Sequence, residues 1–331
     1  MPDTHRRHLC AGACAVALAA PIGVHPQRAP YRIGVLSLEP MPAAASAEWQ
    51  AFVDELGRRG FVEGRNVAFV YRQGGSDAQR MRQMADELVA LKVDLIYAVH
   101  GSSTALAAQK ATATIPIVFF ASGDPVGNGL VASLAHPGAN ITGNASLIMD
   151  VVSKSLEILF EAVGRVAIVA HIQPAGYRRL AQFGPLGAAL EAAAARLGSQ
   201  VRFVDIDSPD QFEPALKLLA QERVRAAMVG GGYMTDMGRI AAAFIRHRMP
   251  TLINWPEFAR AGLLISYSIS QPDLARKAAG YAARILSGAR PADLPVEQPS
   301  KFELVINLKT ARALGVTVPQ SLLLRADELI E

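Results

Sequence analysis

Two apolar runs, VDLIYAV at residues 93–99 and IPIVFF at residues 115–120, decide the fold class of this chain. Each run is apolar at nearly every position, which is typical of a strand buried on both faces. Such strands belong to parallel sheets that helices cover on both sides. Residues 103–113, between the two runs, have the composition of a helix. The stretch therefore predicts the strand–helix–strand unit of an α/β fold.

The same alternation of strands and helices continues in both directions. Upstream, we predict strands at 32–38 and 66–71 and helices at 47–59 and 77–91, the second helix capped by Asp77. A second series follows, with strands at 165–170, 200–206, 226–229 and 251–253 and helices at 177–197, 210–221 and 234–247. Two successive series predict two doubly wound, Rossmann-like lobes with a ligand cleft between them, because ligands bind beyond the carboxyl ends of such strands.

The end of the chain extends this two-lobe arrangement. We place the N-terminal lobe at 31–144 and begin the C-terminal lobe at 145. A strand at 263–266, a helix at 273–287 and a strand at 301–307 remain, and the proline-rich residues 291–299 are typical of a linker. We therefore expect more than one crossing between lobes. The N-terminal lobe would gain residues from about 262 to 298, and the C-terminal lobe would hold 145–261 and about 299–331.

The composition excludes several classes of protein. Of the 331 residues, 51% are hydrophobic and 19% charged, which rules out a disordered chain. A net charge of +4 and only 6% aromatic residues argue against a nucleic-acid partner. Both cysteines, Cys10 and Cys14, lie near the start, so the body of the chain has no disulfide and no thiolate metal site.

The first residues are typical of an export signal. Basic residues at 5–8 precede a short apolar run that ends before Pro21, which predicts a signal peptide at 1–19 and a periplasmic protein. Arg6 and Arg7 also permit twin-arginine export, and Cys14 is a weaker candidate for a lipid anchor. The alternative is a frayed or amphipathic tail on a cytosolic protein.

Polar residues follow the strands of the first lobe where each strand ends. Ser37 ends the first strand, and the segment from His100 to Thr104, which includes Ser102 and Ser103, opens a helix. Small residues at a helix N-terminus leave backbone N–H groups bare, which suits a carboxylate or phosphate, although an ordinary helix cap needs the same residues. Asp124, before a proline, is placed either to accept a hydrogen bond from a ligand or to close its own turn.

The second lobe offers a second set of candidates. His171, Tyr233, Trp255 and Glu257 follow its predicted strands, and Tyr267 lies in a polar segment farther along the chain. Aromatic rings at these places are suited to stack on a ligand, although half-buried core rings give the same pattern.

The sequence lacks the common catalytic and cofactor-binding motifs. It contains no phosphate-binding loop, no nucleophile elbow, no dinucleotide fingerprint after the first strand and no zinc-binding helix. The strand ends carry no evident pair of nucleophile and base. We therefore expect a binding protein with no catalytic residues, no cofactor and no metal.

Several stretches resemble a known family. They are residues 115–119, 123–127, 129–135, 137–143, 294–311 and 322–330, which include GDPVG, GLVASLA and PGANITG. Together they resemble the ABC transporter substrate-binding proteins that include the tryptophan/tyrosine-type, or TrpX-like, members. The resemblance implies a type I periplasmic binding protein fold, with three crossings between lobes and a ligand trapped by closure.

The resemblance also implies a function. It indicates an exported binding protein of an ABC importer that captures an aromatic or other amino acid, or a small carboxylate, and delivers it to a permease in the inner membrane. The alternatives are a periplasmic sensor that docks a signalling receptor and a nucleotide-dependent enzyme. The candidate ligand-binding residues are Ser37, His100, Ser102, Ser103, Asp124, His171, Tyr233, Trp255, Glu257 and Tyr267.

Overall fold

The computed structural model of the chain describes residues 29–38, 46–75, 77–99, 101–175, 184–230, 233 and 236–331. These residues form two α/β lobes, each built on one sheet. The predicted signal peptide at 1–19, Cys14 and His100 lie outside the described residues, as does the start of the helix predicted at 177–197.

The first lobe contains a five-stranded parallel sheet. Its strands are β1 (Tyr31–Ser37), β2 (Val67–Gln73), β3 (Leu95–Ala98), β4 (Ile117–Ser122) and β5 (Ile141–Ala145), in the order β2-β1-β3-β4-β5. Three helices connect them: α1 (Ala47–Arg58), α2 (Ala78–Ala90) and α3 (Ser102–Ala111). The Asp77 carboxylate accepts hydrogen bonds from two backbone amides of α2, so it caps this helix as predicted. Every residue of β3 is buried, as a strand covered on both faces requires.

The second lobe contains a seven-stranded sheet. The chain enters it through α4 (Ile148–Val163) and continues with β6 (Ile168–Gln173), α5 (Gly184–Arg196), β7 (Gln200–Asp205), α6 (Phe212–Gln221), β8 (Ala227–Val229), α7 (Met237–Arg246), β9 (Thr251–Ile253), α8 (Pro256–Arg260) and β10 (Ile265–Ile269). After α9 (Gln271–Leu286), it returns with β11 (Phe302–Asn307), α10 (Leu308–Leu314), α11 (Gln320–Leu323) and β12 (Glu328–Ile330). The strand order is β12-β11-β10-β9-β8-β6-β7, and only β10 and β11 pair in the antiparallel sense.

The described chain passes between the lobes three times. It first leaves β5 for α4. It then leaves β10 for α9, which packs with α1 in the core of the first lobe. The third passage, through residues 294–302, leads into β11. The first two passages leave from the carboxyl ends of β5 and β10, so both sheets present their carboxyl edges to the crossing region. In a doubly wound fold, ligands bind at these edges.

The structure differs from the predicted elements at several places, and α8, α11 and β12 are among the elements that were not predicted. β10 pairs in the second sheet, so the segment that returns to the first lobe begins at Gln271 instead of near residue 262. β5 and α4 were not predicted at all. The first strand of the second lobe lies three residues later than predicted, because Gly164, with φ of +81°, ends α4 and an irregular connection precedes Ile168.

Candidate ligand-binding site

The N-terminus of α3 forms the centre of the polar edge in the first lobe. Gly101 precedes the helix with φ of +90° and ψ of −158°, a backbone conformation that is essentially restricted to glycine. Its amide donates to the Phe120 carbonyl at 3.2 Å, which ties the turn to β4. The turn places Ser102 and Ser103 in the first helical turn, beside the ends of β3 and β4. Free backbone N–H groups and the helix dipole make such a position favourable for an anion.

Buried hydroxyl groups surround this helix start. The Ser102 Oγ lies 2.8 Å from the Ser122 Oγ, and the Asn128 Nδ2 donates to the Ser102 Oγ at 3.0 Å. The Ser103 Oγ is buried and has no hydrogen-bond partner in the described structure. Ser37, at the end of β1, is 1% exposed and lies next to the end of β3, because Leu36 pairs with Ala98. The structure thus brings Ser37, Ser102 and Ser103 to one edge of one sheet.

Asp124 closes its own turn. Its Oδ1 accepts a hydrogen bond from the Gly127 amide at 2.8 Å, and a side chain at Gly127 would overlap the Asp124 carboxylate. Of the two roles that the sequence left open for Asp124, the geometry therefore shows the one in which it closes its own turn. The carboxylate is also exposed, and a role towards a ligand stays a prediction.

Two of the candidates in the second lobe are buried. His171 lies inside β6 instead of after it, 7% exposed, with its ring edge-to-face with Phe203 at 5.7 Å. Tyr233 is 5% exposed, and its hydroxyl donates to the Ile206 carbonyl at 2.9 Å. β6 ends instead at Gln173, whose amide donates to Asp205 at the end of β7 at 2.9 Å.

The loop after β9 carries two more candidates. Trp255 is half-buried and packs against the core under α7 and α8, whereas Glu257 is exposed on α8, 3.9 Å from the Arg260 guanidinium. The neighbouring Asn254 holds this loop in place, because its Nδ2 donates to the Ser155 Oγ at 2.8 Å and to the Tyr267 carbonyl at 2.7 Å.

Unpartnered polar groups are concentrated near the crossing region. Tyr267 stacks on Phe302 with ring centroids 5.8 Å apart, and burial raises the pKa of its hydroxyl, so it stays neutral. The hydroxyls of Ser266 and Ser268, on either side of it, are buried without a partner in the described structure. The Asn144 amide, in β5, is fully buried and has no partner for either Nδ2 or Oδ1 there.

The candidates chosen from the sequence do not include some polar residues near the strand ends of the two sheets. Ser122, Asn128, Gln173 and Asn144 were not among the candidates. Gln173 carried a readable signal, because a polar residue before a proline ends an apolar run. The contacts of Ser122 and Asn128 join residues 20 and 26 positions apart, and no local pattern reports them.

The described residues contain neither a cluster of metal-ligating side chains nor a membrane-spanning helix. Within those ranges, no three His, Cys, Asp or Glu side chains are grouped to hold a metal ion. None of the helices described is long and apolar enough to cross a membrane. A shallow groove of about 200 Å³, lined by Arg202, Leu218 and their neighbours, follows the flank of edge strand β7 and α6. It is separate from the serine-lined edge of the first lobe.

Comparison with known proteins gives a consistent result. Residues 39–330 match the family model described as ABC transporter substrate binding protein. A tyrosine-binding protein of Clostridioides difficile (strain R20291) is 25% identical over 288 residues, which cover 86% of this chain and 81% of the relative.

Solved structures share the same fold. A conserved domain protein from Vibrio cholerae is 27% identical, with a TM-score of 0.77 over 90% of this chain and 99% of that one. The ABC domain from Streptococcus pneumonia in complex with L-Trp is 24% identical, with a TM-score of 0.76 over 91% of this chain and all of that one. The second likeness concerns the fold alone.

Proposed function

This chain belongs to the family of ABC transporter substrate binding proteins, and on that basis we propose that it is an exported receptor for a small solute, which is an amino acid or another small carboxylate. The solute binds in the cleft between the lobes and is delivered unchanged to a permease in the inner membrane. The protein is not an enzyme in this proposal, and it works in the periplasm after removal of its first residues.

The observation that carries the proposal is the start of α3. Gly101 exposes the first amides of the helix, and Ser102 and Ser103 add hydroxyl groups at the same place. These groups are hydrogen-bond donors at the positive end of a helix dipole, which suits the carboxylate of a small solute. The binding free energy then comes from hydrogen bonds that closure of the lobes shields from water.

The aromatic candidates of the second lobe suit an aromatic side chain. Trp255 is half-buried at the carboxyl end of β9, and Tyr267 lies at the crossing. The relative named for binding tyrosine supports this solute class. We therefore propose an aromatic amino acid as the first solute to test.

Binding is tested on protein unfolded in guanidinium chloride, dialysed and refolded, so that no bound solute is carried over. Thermal shift and titration calorimetry against L-tyrosine, L-tryptophan, the other amino acids and small carboxylates should give a rise in Tm with at least one amino acid. Ser102→Ala and Ser103→Ala should each weaken this binding. Ser133→Ala is the matched control, because its hydroxyl serves only the turn to His136 in the same lobe.

Two outcomes would contradict the proposal. Absence of a shift with every solute would remove the binding function, and conversion of a bound solute into a product would make the protein an enzyme. Mass spectrometry of the N-terminus of the protein recovered from the periplasm tests export separately. Cleavage after Ala19 is expected, and a lipid on Cys14 would instead show that the protein is anchored to a membrane.

A further inference from the structure

Five residues other than glycine have a left-handed backbone in the described part of the chain. Three of them follow the last turn of a helix, where a left-handed residue lets two amides bond back to the helix, and a fourth lies where the register of β4 shifts. These four are Lys92, Arg223 and Arg248 after helices and Ala121 in β4. The fifth, Leu147, has φ of +49° and ψ of +32° and fits neither explanation, because it precedes a helix.

Leu147 is the N-cap residue of α4. An N-cap ordinarily has an extended backbone and a side chain that accepts a hydrogen bond from the helix, as Ser46 of α1 and Asp77 of α2 do. Leu147 has neither property. Its side chain is half-buried and belongs to none of the four apolar clusters of the described residues. Neither capping nor packing in a core therefore accounts for a backbone conformation that is unfavourable for leucine.

The residues on either side of Leu147 are held by different lobes. Before it, the Ser146 amide donates to the Ser122 carbonyl at the end of β4, at 2.8 Å. After it, the Val151 amide donates to the Leu147 carbonyl at 3.0 Å and begins α4. The boundary between the two apolar cores also lies here, because Val151 belongs to the core of the first lobe and Val152 to that of the second. The first passage thus changes lobe within a few residues of Leu147.

We propose that Leu147 is the pivot of the first passage, left-handed in this lobe arrangement and right-handed or extended when the lobes change their opening angle. The cost of a left-handed leucine then belongs to one state only, and it sets part of the equilibrium between the open and closed states. The inference rests on the proposed function, which requires the lobes to open and close. It adds the residue that regulates how readily they do so.

Three substitutions separate the backbone of residue 147 from its side chain. Leu147→Gly removes the cost of the left-handed backbone, and Leu147→Ile keeps the volume but raises that cost, since β-branched residues are rarely left-handed. Leu147→Ala removes most of the side chain and keeps the cost. Glycine should shift the equilibrium towards the lobe arrangement of this structure by about fivefold, isoleucine should shift it away, and alanine should leave it near the wild-type value.

The measured quantity is the affinity of refolded protein for L-tyrosine, determined by calorimetry. Small-angle scattering of the wild-type protein with and without L-tyrosine first identifies which state has the lobe arrangement of this structure. If it is the ligand-free state, Leu147→Gly should weaken binding and Leu147→Ile should strengthen it, and if it is the bound state, the two signs exchange. Arg223→Gly is the matched control, because it places glycine at a left-handed residue inside one lobe and should leave the affinity unchanged.

The outcomes separate this inference from the proposed function. Affinities of the glycine and isoleucine variants that change in the same direction, or that both equal the wild-type value, overturn the pivot role while the binding function stands. An alanine variant that departs from wild type as far as the glycine variant assigns the effect to side-chain contacts and also overturns it. If Leu147→Ile does not fold, the contrast between the glycine and alanine variants decides. Failure of the refolded wild-type protein to bind L-tyrosine or any other solute of the screen overturns the proposed function and this inference with it.

Discussion

The backbone amide of Ala145 donates to the carbonyl of Glu297 at 2.9 Å, which joins the first passage between the lobes to the third. The Glu297 amide donates back to the Gly143 carbonyl at 3.1 Å. On the other side, the Ser270 amide donates to the Lys301 carbonyl at 3.0 Å, so the second passage is also joined to the third. Backbone hydrogen bonds therefore connect the three passages. If the lobes open and close as the proposed function requires, the motion would bend all three passages together, because sliding of one passage would break these bonds.

The close contact between β4 and β5 depends on Gly143. A side chain at this position would overlap the Phe119 carbonyl and ring. We expect Gly143→Ala to lower the free energy of unfolding by more than about 2 kcal/mol, because backbone must move to make room. Urea denaturation measures the change.

A glycine without close neighbours provides the control for this prediction. Gly57 lies in α1, and no atom stands within 4 Å of an added side-chain carbon. Gly57→Ala should raise the free energy of unfolding by up to about 1 kcal/mol through helix propensity. Equal effects of the two substitutions would show that steric overlap does not determine the role of Gly143.

Gly101→Ala should separate backbone conformation from packing at the start of α3. An added side-chain carbon would meet only the Ala121 carbonyl, at 3.8 Å, so space is not limiting. The conformation itself, with φ of +90°, costs a residue other than glycine about 1–3 kcal/mol. We expect a loss of stability in this range and weaker solute binding, measured by urea denaturation and calorimetry. Unchanged solute affinity in a folded variant would argue against α3 as the anion subsite.

The sequence predicted those elements whose burial on both faces produces an apolar run. It did not predict elements whose buried polar residues are satisfied by distant tertiary contacts. The apolar runs of β3 and β4 indicated a parallel sheet, because strands covered on both faces are mostly apolar. β5, with the sequence ITGNA, lacked that pattern, and its Thr142 hydroxyl is satisfied by the distant Leu294 carbonyl at 2.7 Å. α4 follows Leu147, which has a left-handed conformation and gives no side-chain cap, so a start signal was missing.

The candidate site likewise has residues that the sequence could indicate and residues that it could not. Ser102 and Ser103 were chosen as candidates because small polar residues directly follow an apolar strand. Ser122 and Asn128 complete the same network, but only the folded sheet brings them to Ser102. Tyr233 was predicted from its place after a strand, and its buried hydroxyl bond to Ile206 became visible only in the structure.

Substitutions at Asn144 and Thr142, which lie two residues apart on β5, should change the free energy of unfolding in opposite directions. Asn144 is fully buried with an unpartnered amide in the described structure, and Thr142 is fully buried with a hydroxyl that donates to Leu294. Asn144→Leu should raise the free energy of unfolding by about 1–2 kcal/mol, because it removes a desolvated group that has no bond to lose. Thr142→Val should lower it by about 1–2 kcal/mol, because it leaves a buried carbonyl without its donor.

Urea denaturation of both variants, at equal m-values, gives the comparison. A loss of stability in Asn144→Leu would mean that the amide is satisfied in the native protein by a group such as an ordered water. If Thr142→Val left the free energy of unfolding unchanged, the hydrogen bond from Thr142 to the 291–294 segment would contribute little to the stability of the first lobe.

Glu161 links the C-terminal segment to α4 and predicts a dependence of stability on pH. The hydrogen bond from the Ser321 Oγ, at 2.7 Å, and the ion pair with Arg325, at 2.9 Å, hold the pKa of Glu161 below its ordinary value of 4.5. A carboxyl whose pKa is lowered on folding stabilises the folded state above pH 4.5, and this contribution is lost as the pH falls through the folded pKa. The side chains of Arg325 and Glu161 are 45% and 32% exposed, so the pair contributes less than about 1 kcal/mol.

The measurement is the difference in Tm between the wild-type protein and Glu161→Gln from pH 7 to pH 3. The wild-type protein should be the more stable at pH 7, and the difference should shrink towards zero below pH 4.5, because protonated Glu161 and glutamine are then alike in charge. Glu157→Gln is the control, since Glu157 pairs with Lys154 inside α4 and joins no second element. A difference for Glu161→Gln that persists unchanged at pH 3 would mean that packing, and not the charge of Glu161, holds residues 320–325 against α4.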